Sequence, residues 1–273
     1  MIVGAADAAN GALAQQLKFI ATTSILFTGA LGCSLPALGR RVPALRPQGH
    51  LFFLIKAFAA GVILATGMMH ILPDAFDKLS SESLAAGWRN FPFAGLGAML
   101  GAMGTLIIDN VATGYFTRQN LNMNSVEPAG CSAAVVDIES ASKDPSNIKP
   151  LMIALSFHQM FEGIGLGGCI TQANFKLRSL VMMVAFFCLT TPLGVLIGYG
   201  ISSRYSENSP TALIVEGLLN SVGAGILIYM SLVDLLAEDF KNEKVQNNGK
   251  LQLGVILCML IGAGLMSMLA IWA

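Results

Sequence analysis

Two pairs of side chains in this chain have the types and the spacing to hold a cation. His158 and Glu162 stand four residues apart in the apolar run from Pro150 to Ile170, and His70 and Asp74 stand four apart across Pro73. On a helix, residues i and i+4 share a face, so each pair would present an imidazole nitrogen beside a carboxylate oxygen. Those donors suit Zn²⁺ and Fe²⁺ alike. Ionisable groups at mid-membrane depth are expensive and mark ion paths, which gives the His158 and Glu162 pair its weight. Two donors from one helix make at most half of a four-ligand zinc site, so other donors must come from other helices or from water.

The elements that position these residues read as membrane helices. Of 273 residues 54% are hydrophobic and only 12% charged, with 16 Lys+Arg against 16 Asp+Glu. A soluble domain carries about 25% charged residues, so this chain has too few to cover a water-facing surface. The balanced charge also excludes nucleic acid as an expected partner. Runs of about 20 apolar residues, enough to span a hydrocarbon core, occur at 17–38, 51–73, 92–116, 150–171, 179–201, 211–237 and 251–272. The expected fold is therefore all-α, a polytopic transmembrane helix bundle of seven apolar segments in the lipid bilayer. A polar stretch, rich in Asn, Ser, Asp and Glu, divides it: 1–116 is a first block of three helices, 117–149 a polar cytoplasmic loop, and 150–273 a second block of four helices.

The N-terminus has no basic region before its first apolar run, so that run reads as a spanning helix and not as a cleaved signal peptide. Cys33, Cys169, Cys188 and Cys258 sit in apolar runs and Cys131 stands alone in the loop. Without a CxxC spacing they indicate neither a disulfide framework nor a thiolate metal site. The pairs Gly97 and Gly101, Gly163 and Gly167, and Gly194 and Gly198 are small-xxx-small patterns that let helix backbones approach closely. Pro192, after Thr190 and Thr191, should kink its helix. Asp109 and Asp234 can serve either interhelical hydrogen bonding or ion contact, and Glu216 with Asn220 either solvation and packing or transport.

Orientation follows from basic residues, which favour the cytoplasmic side. Arg40, Arg41 and Arg46 put the first loop inside. If all seven segments then alternate, loops after the first helix carry seven basic residues inside and seven outside, and the bias vanishes. Inverting the last block gives eleven inside against three outside. The charge pattern is that of an eight-crossing protein lacking one crossing.

The motifs AAGVILATGMMHILPDA at 59–75, SFHQMFEGIGLGGCI at 156–170, LTTPLGVLIG at 189–198 and SVGAGILIYMSLVDLLA at 221–237 resemble the plant branch of the ZIP (Zrt/Irt-like) divalent metal transporters. The resemblance covers nearly the whole chain. It implies an eight-helix fold with outward termini and a transport site built mainly from the fourth and fifth helices. The 150–171 segment would be the fifth helix, with His158 and Glu162 facing the metal and Gln159 at a neighbouring position; His70 and Asp74 match a pair in the second helix, toward the outer end of the path. The family's fourth helix carries an HSxxxG-type motif that this chain lacks: VVDIESASKDPSN passes straight into IKPLMIALSFHQ. The expected fold is the ZIP fold minus one helix. The family's histidine-rich loop is also absent, since His50, His70 and His158 are the only histidines.

The resemblance implies transport of Zn²⁺ or Fe²⁺ toward the cytosol, as substrate and with no prosthetic group, in the plasma membrane. Homo- or hetero-dimers with other ZIP proteins are a further expectation. The alternative is a transport-impaired truncated or spliced isoform acting through a full-length transporter. An enzyme is not expected, because HxxxE is not HExxH and no nucleophile has an evident base.

Overall fold

In the computed structural model the described residues are 20, 22–35, 49–120, 156–157, 159–167, 181–190, 193–194 and 209–269. They are helical wherever they are regular, with no strand among them. In chain order the helices are α1 (Thr22–Leu35), α2 (His50–Leu79), α3 (Phe93–Asn120), α4 (residues 159–167), α5 (Val181–Thr190), α6 (Pro210–Lys241) and α7 (Gly249–Leu269). Four stretches are long and apolar enough to cross a membrane: α2, Phe93–Val111 of α3, α6 and α7. These correspond to four of the seven expected segments. The runs at 17–38, 150–171 and 179–201 are described only in part, as α1, α4 and α5. Gly198 and the stretch 121–149 lie outside the described residues.

Local chemistry sets the helix ends. The Ser209 side chain accepts from the Ala212 N–H at 3.2 Å, with Pro210 in the first turn, where its missing N–H costs nothing. At the start of α7, Asn248 Oδ1 accepts from the Leu251 N–H at 3.2 Å. Helix α2 runs past its expected end because it absorbs Pro73 without breaking. Its turn Thr66–Ile71 is π-helical, just where the proline ring would crowd the carbonyl four residues back. A second π-helical stretch, Met230–Ala237, interrupts α6.

Glycines bring these helices together. A Cβ on Gly61 would collide with the Met259 carbonyl, and one on Gly262 with the Phe58 carbonyl, which fixes α2 against α7. Gly97 and Gly101 of α3 meet Ser221 and Val222 of α6 in the same way, while Gly225 of α6 meets Ala98. Phe53, Ile63, Leu227, Leu235 and Val255 form the core between α2, α6 and α7. The outer faces stay apolar: Ile107, Ile108 and Val111 of α3 and Leu253, Leu260 and Met268 of α7 are exposed. In water such faces would drive aggregation; in a bilayer they meet lipid. The chain is an integral membrane protein.

The contacts also give helix directions. Lys56 meets Asp239, and Lys78 meets Glu216, so α2 and α6 run antiparallel. Leu54 lies near Gly254, Gly61 near Met259 and Ala65 in one cluster with Met266, so α2 and α7 run parallel. Gly97 with Ser221 and Asp109 with Tyr229 make α3 parallel to α6. Ser24 with Ser156 and Cys33 with Gly167 make α1 parallel to α4. Simple alternation of seven crossings requires the opposite in all four cases. The directions are those of the inverted last block, the arrangement that restores the positive bias.

Candidate metal site

Glu162 is carried by a helix that three neighbours hold. On one side, α4 lies backbone to backbone against α1: a Cβ on Gly163 would fall 2.7 Å from the Gly29 carbonyl oxygen, and one on Gly167 2.6 Å from that of Cys33. Only glycine permits that approach, which is the role expected of this pair. On another side, Phe157 and Phe161 pack on Phe58 of α2, with ring centroids 6.4 and 4.9 Å from it. Gly165 faces Leu235 of α6. Enclosed by these contacts, the Glu162 side chain is 2% exposed, and Gln159, beside Gly29, is 4% exposed. His158 lies outside the described residues, so of the expected pair the structure describes Glu162 alone.

His70 and Asp74 are engaged by different neighbours. His70, in the π-helical turn, sets Nε2 3.4 Å from the Met266 carbonyl of α7. With the proton on Nε2 the ring donates to that carbonyl and keeps Nδ1 as an acceptor, the tautomer arrangement usual for a metal-binding imidazole. Asp74 turns to α6 instead: Asn220 Nδ2 donates to its Oδ2 at 2.6 Å, and Lys78 Nζ sits 3.1 Å from the same oxygen. Lys78 Nζ is also 3.0 Å from Glu216 Oε2. Glu216 and Asn220 therefore belong to an interhelical polar cluster with Asp74.

A second charged group joins the opposite ends of α2 and α6. Lys56 Nζ lies 2.9 Å from Asp239 Oδ1 and 3.8 Å from Glu238 Oε2. Sequence reading passed over both lysines. The signal was present: Lys56 stands alone in an apolar run, where a buried ammonium demands an acidic partner, and Lys78 follows Asp74 by four residues. Tyr229 donates its hydroxyl to Asp109 Oδ2 at 3.3 Å, an interhelical bond and so one of the two roles open to Asp109. Asp234 lies within electrostatic reach of Asp109, Glu238 and Lys56.

Among the described residues no three of His, Cys, Asp and Glu gather around one point. The family assignment therefore rests on comparison. The family model for the ZIP zinc transporters matches residues 15–143 and 138–270. The chain belongs to the ZIP family. Zinc transporter 8 of rice (Oryza sativa subsp. japonica) is 51% identical over 358 residues, covering 99% of this chain and 92% of that protein. Zinc transporter 3 of Arabidopsis thaliana is 45% identical, covering 98% of this chain and 88% of that protein. Fe(2+) transport protein 1 of rice is 42% identical, covering 99% and 89%. The relatives are transporters of zinc and of Fe(2+) by name, and none of these three is named as an enzyme.

Proposed function

We propose that this ZIP protein carries Zn²⁺, and Fe²⁺ by the same chemistry, across the plasma membrane toward the cytosol. The ion is the substrate, and the chain's own donors supply the path. Capture takes place at the end of α2 that bears His70 and Asp74, and transfer follows to His158 and to Gln159 and Glu162 of α4. The observation that carries this reading is the burial of Glu162. Ionisable groups enclosed within a membrane bundle are rare and mark ion paths. Glu162 offers such an oxygen donor on a helix packed through its glycines against α1.

The names of the zinc and Fe(2+) transporters among its relatives support the substrate class. Zinc and ferrous ions share the imidazole and carboxylate donors present here, so both fit the path. With the basic loop of Arg40, Arg41 and Arg46 in the cytosol, Lys56 marks the inner end of α2 and Lys78 the outer end. The two pieces of the family match meet at 138–143, inside the polar stretch, and the alignment to the rice zinc transporter spans 358 residues against this chain's 273. Both support a chain that lacks the helix with the HSxxxG-type motif. Fewer ligands from protein mean more from water, hence a weaker site and slower selective uptake than in a complete member. The isoform reading, in which the chain acts through a full-length transporter, draws no support from these relatives.

The test is zinc and iron uptake by the full chain in transport-deficient cells, with delivery to the surface verified and Glu162→Ala alongside. Uptake that falls at least about tenfold in the variant is expected, the scale of losing one charged ligand. No uptake by the wild type despite surface delivery overturns the carrier reading. Uptake that Glu162→Ala leaves intact removes Glu162 from the path.

A further inference from the structure

Packing brings together two thiols that spacing does not connect. Cys33, near the end of α1, and Cys188, near the end of α5, are both reduced and buried, and their side chains share a hydrogen bond. We propose that they are a redox pair, which a hydroperoxide oxidises to a disulfide that ties α5 to the α1 and α4 unit bearing Glu162.

Three features carry this. Thiols in hydrogen-bond contact have their sulfurs side by side, the first requirement of bridging. The cluster around them is apolar, with Leu166 of α4, Val184 and Phe187 of α5 and Ala30 of α1. Two thiolates holding Cu(I) would leave a negative charge there, whereas a disulfide is neutral and has no donor to satisfy. The third feature is what the bond would join. Helix α1 is seated on α4 at Gly163 and Gly167, and a Cβ on its Gly29 would lie 3.5 Å from Phe187 of α5 and 3.1 Å from Gln159. A bond between Cys33 and Cys188 would therefore clamp the helices that hold Gln159 and Glu162. With the first loop in the cytosol, Cys33 lies toward the inner end of α1, where thiols are kept reduced and disulfides are transient signals.

The chemistry balances with hydrogen peroxide as the oxidant. One thiolate attacks a peroxide oxygen, the O–O bond breaks, an S–O bond forms and hydroxide leaves. The other thiolate then attacks that sulfur, the S–S bond forms, the S–O bond breaks and a second hydroxide leaves. The thiol protons convert both hydroxides to water, and the two electrons lost by the sulfurs reduce the peroxide. The effect on transport rests on the carrier reading; the bond itself does not.

The experiment treats the full wild-type chain in nanodiscs with hydrogen peroxide, blocks remaining thiols under denaturing conditions, and maps its peptides by mass spectrometry without reductant. The peptide carrying Cys33 should appear joined to the one carrying Cys188, and dithiothreitol should release both. Free or singly oxidised Cys33 and Cys188 without that joined peptide overturn the proposal. So does either cysteine joined instead to Cys131, Cys169 or Cys258. In transport-deficient cells, zinc uptake by the wild type should fall on peroxide treatment and return with dithiothreitol, while Cys188→Ser should keep its uptake through the same treatment. An equal fall in Cys188→Ser, or a wild type that keeps its uptake with the bond formed, overturns the clamp. A wild type with no uptake before treatment counts against the carrier reading alone, since the peptide map still decides the bond.

Discussion

At one end of the α2 and α6 pair, Lys56 and Asp239 hold each other with side chains 2% and 4% exposed, 2.9 Å apart. At the other, Lys78 holds Asp74 and Glu216 at nearly the same distances, but both carboxylates reach solvent. The chemistry is the same and the surroundings differ. Breaking a dry ion pair leaves an uncompensated charge in low dielectric, which is strongly destabilising. Breaking a wet one lets water take the partner's place, and exposed pairs contribute little net stability. The inner pair therefore fastens the two helices, whereas the outer group contributes little to holding them together.

The largest expected effect tests the dry end. Lys56→Met strands Asp239 among buried neighbours and should destabilise the chain by about 3–5 kcal/mol, the usual consequence of removing one partner of a buried pair. Thermal melting in nanodiscs reads this directly. Lys56→Met with Asp239→Leu should recover most of the loss, because no charge is then left to desolvate. If the single variant melts like the wild type, the inner pair is not the fastening that its burial implies, and the contrast between the two ends disappears.

A sidedness measurement sharpens the comparison by assigning each end to a compartment. On a background with the native cysteines replaced by serine, Gly49→Cys and Asn247→Cys should both be shielded from an impermeant thiol reagent added outside, and Ser81→Cys should be labelled. The reason is the antiparallel course of α2 and α6, which puts the start of α2 beside the end of α6. Labelling of Asn247→Cys together with Ser81→Cys would mean that the last block is not inverted in the membrane.

Much of this arrangement could be read in the sequence, and the rest could not for definite reasons. Apolar length revealed α2, α3, α6 and α7, because spanning a hydrocarbon core is a constraint on length and polarity alone. Charge bias exposed the inverted block, since the sidedness of Arg and Lys accumulates over many residues. The close approaches at Gly97, Gly101, Gly163 and Gly167 were legible as small-xxx-small patterns, and the structure uses them inside the chain. Partner choice was not legible. Nothing in spacing says that Asp74 turns from His70 toward Asn220, 146 positions away, or that Lys56 finds Asp239, 183 away. The π-helical turn at Thr66–Ile71 was hidden as well: Pro73 signals a disturbance, but spacing does not say that the helix continues through it, with Gly67 packed against Leu227 of α6.

The smallest expected effects lie at the wet end, and their smallness is the point of measuring them. Asn220→Ala removes the 2.6 Å bond to Asp74, yet Asp74 keeps Lys78 and gains water. The expected cost is about 1 kcal/mol, that of one ordinary hydrogen bond. Lys78→Met removes the ammonium from two partly hydrated carboxylates and should cost about 0–1 kcal/mol, because water repays most of the lost attraction. Both are read by the same melting experiment as Lys56→Met, so the ratio between the ends is free of differences in method. A loss at Lys78 as large as that at Lys56 would show that Asp74 and Glu216 depend on the lysine for their place.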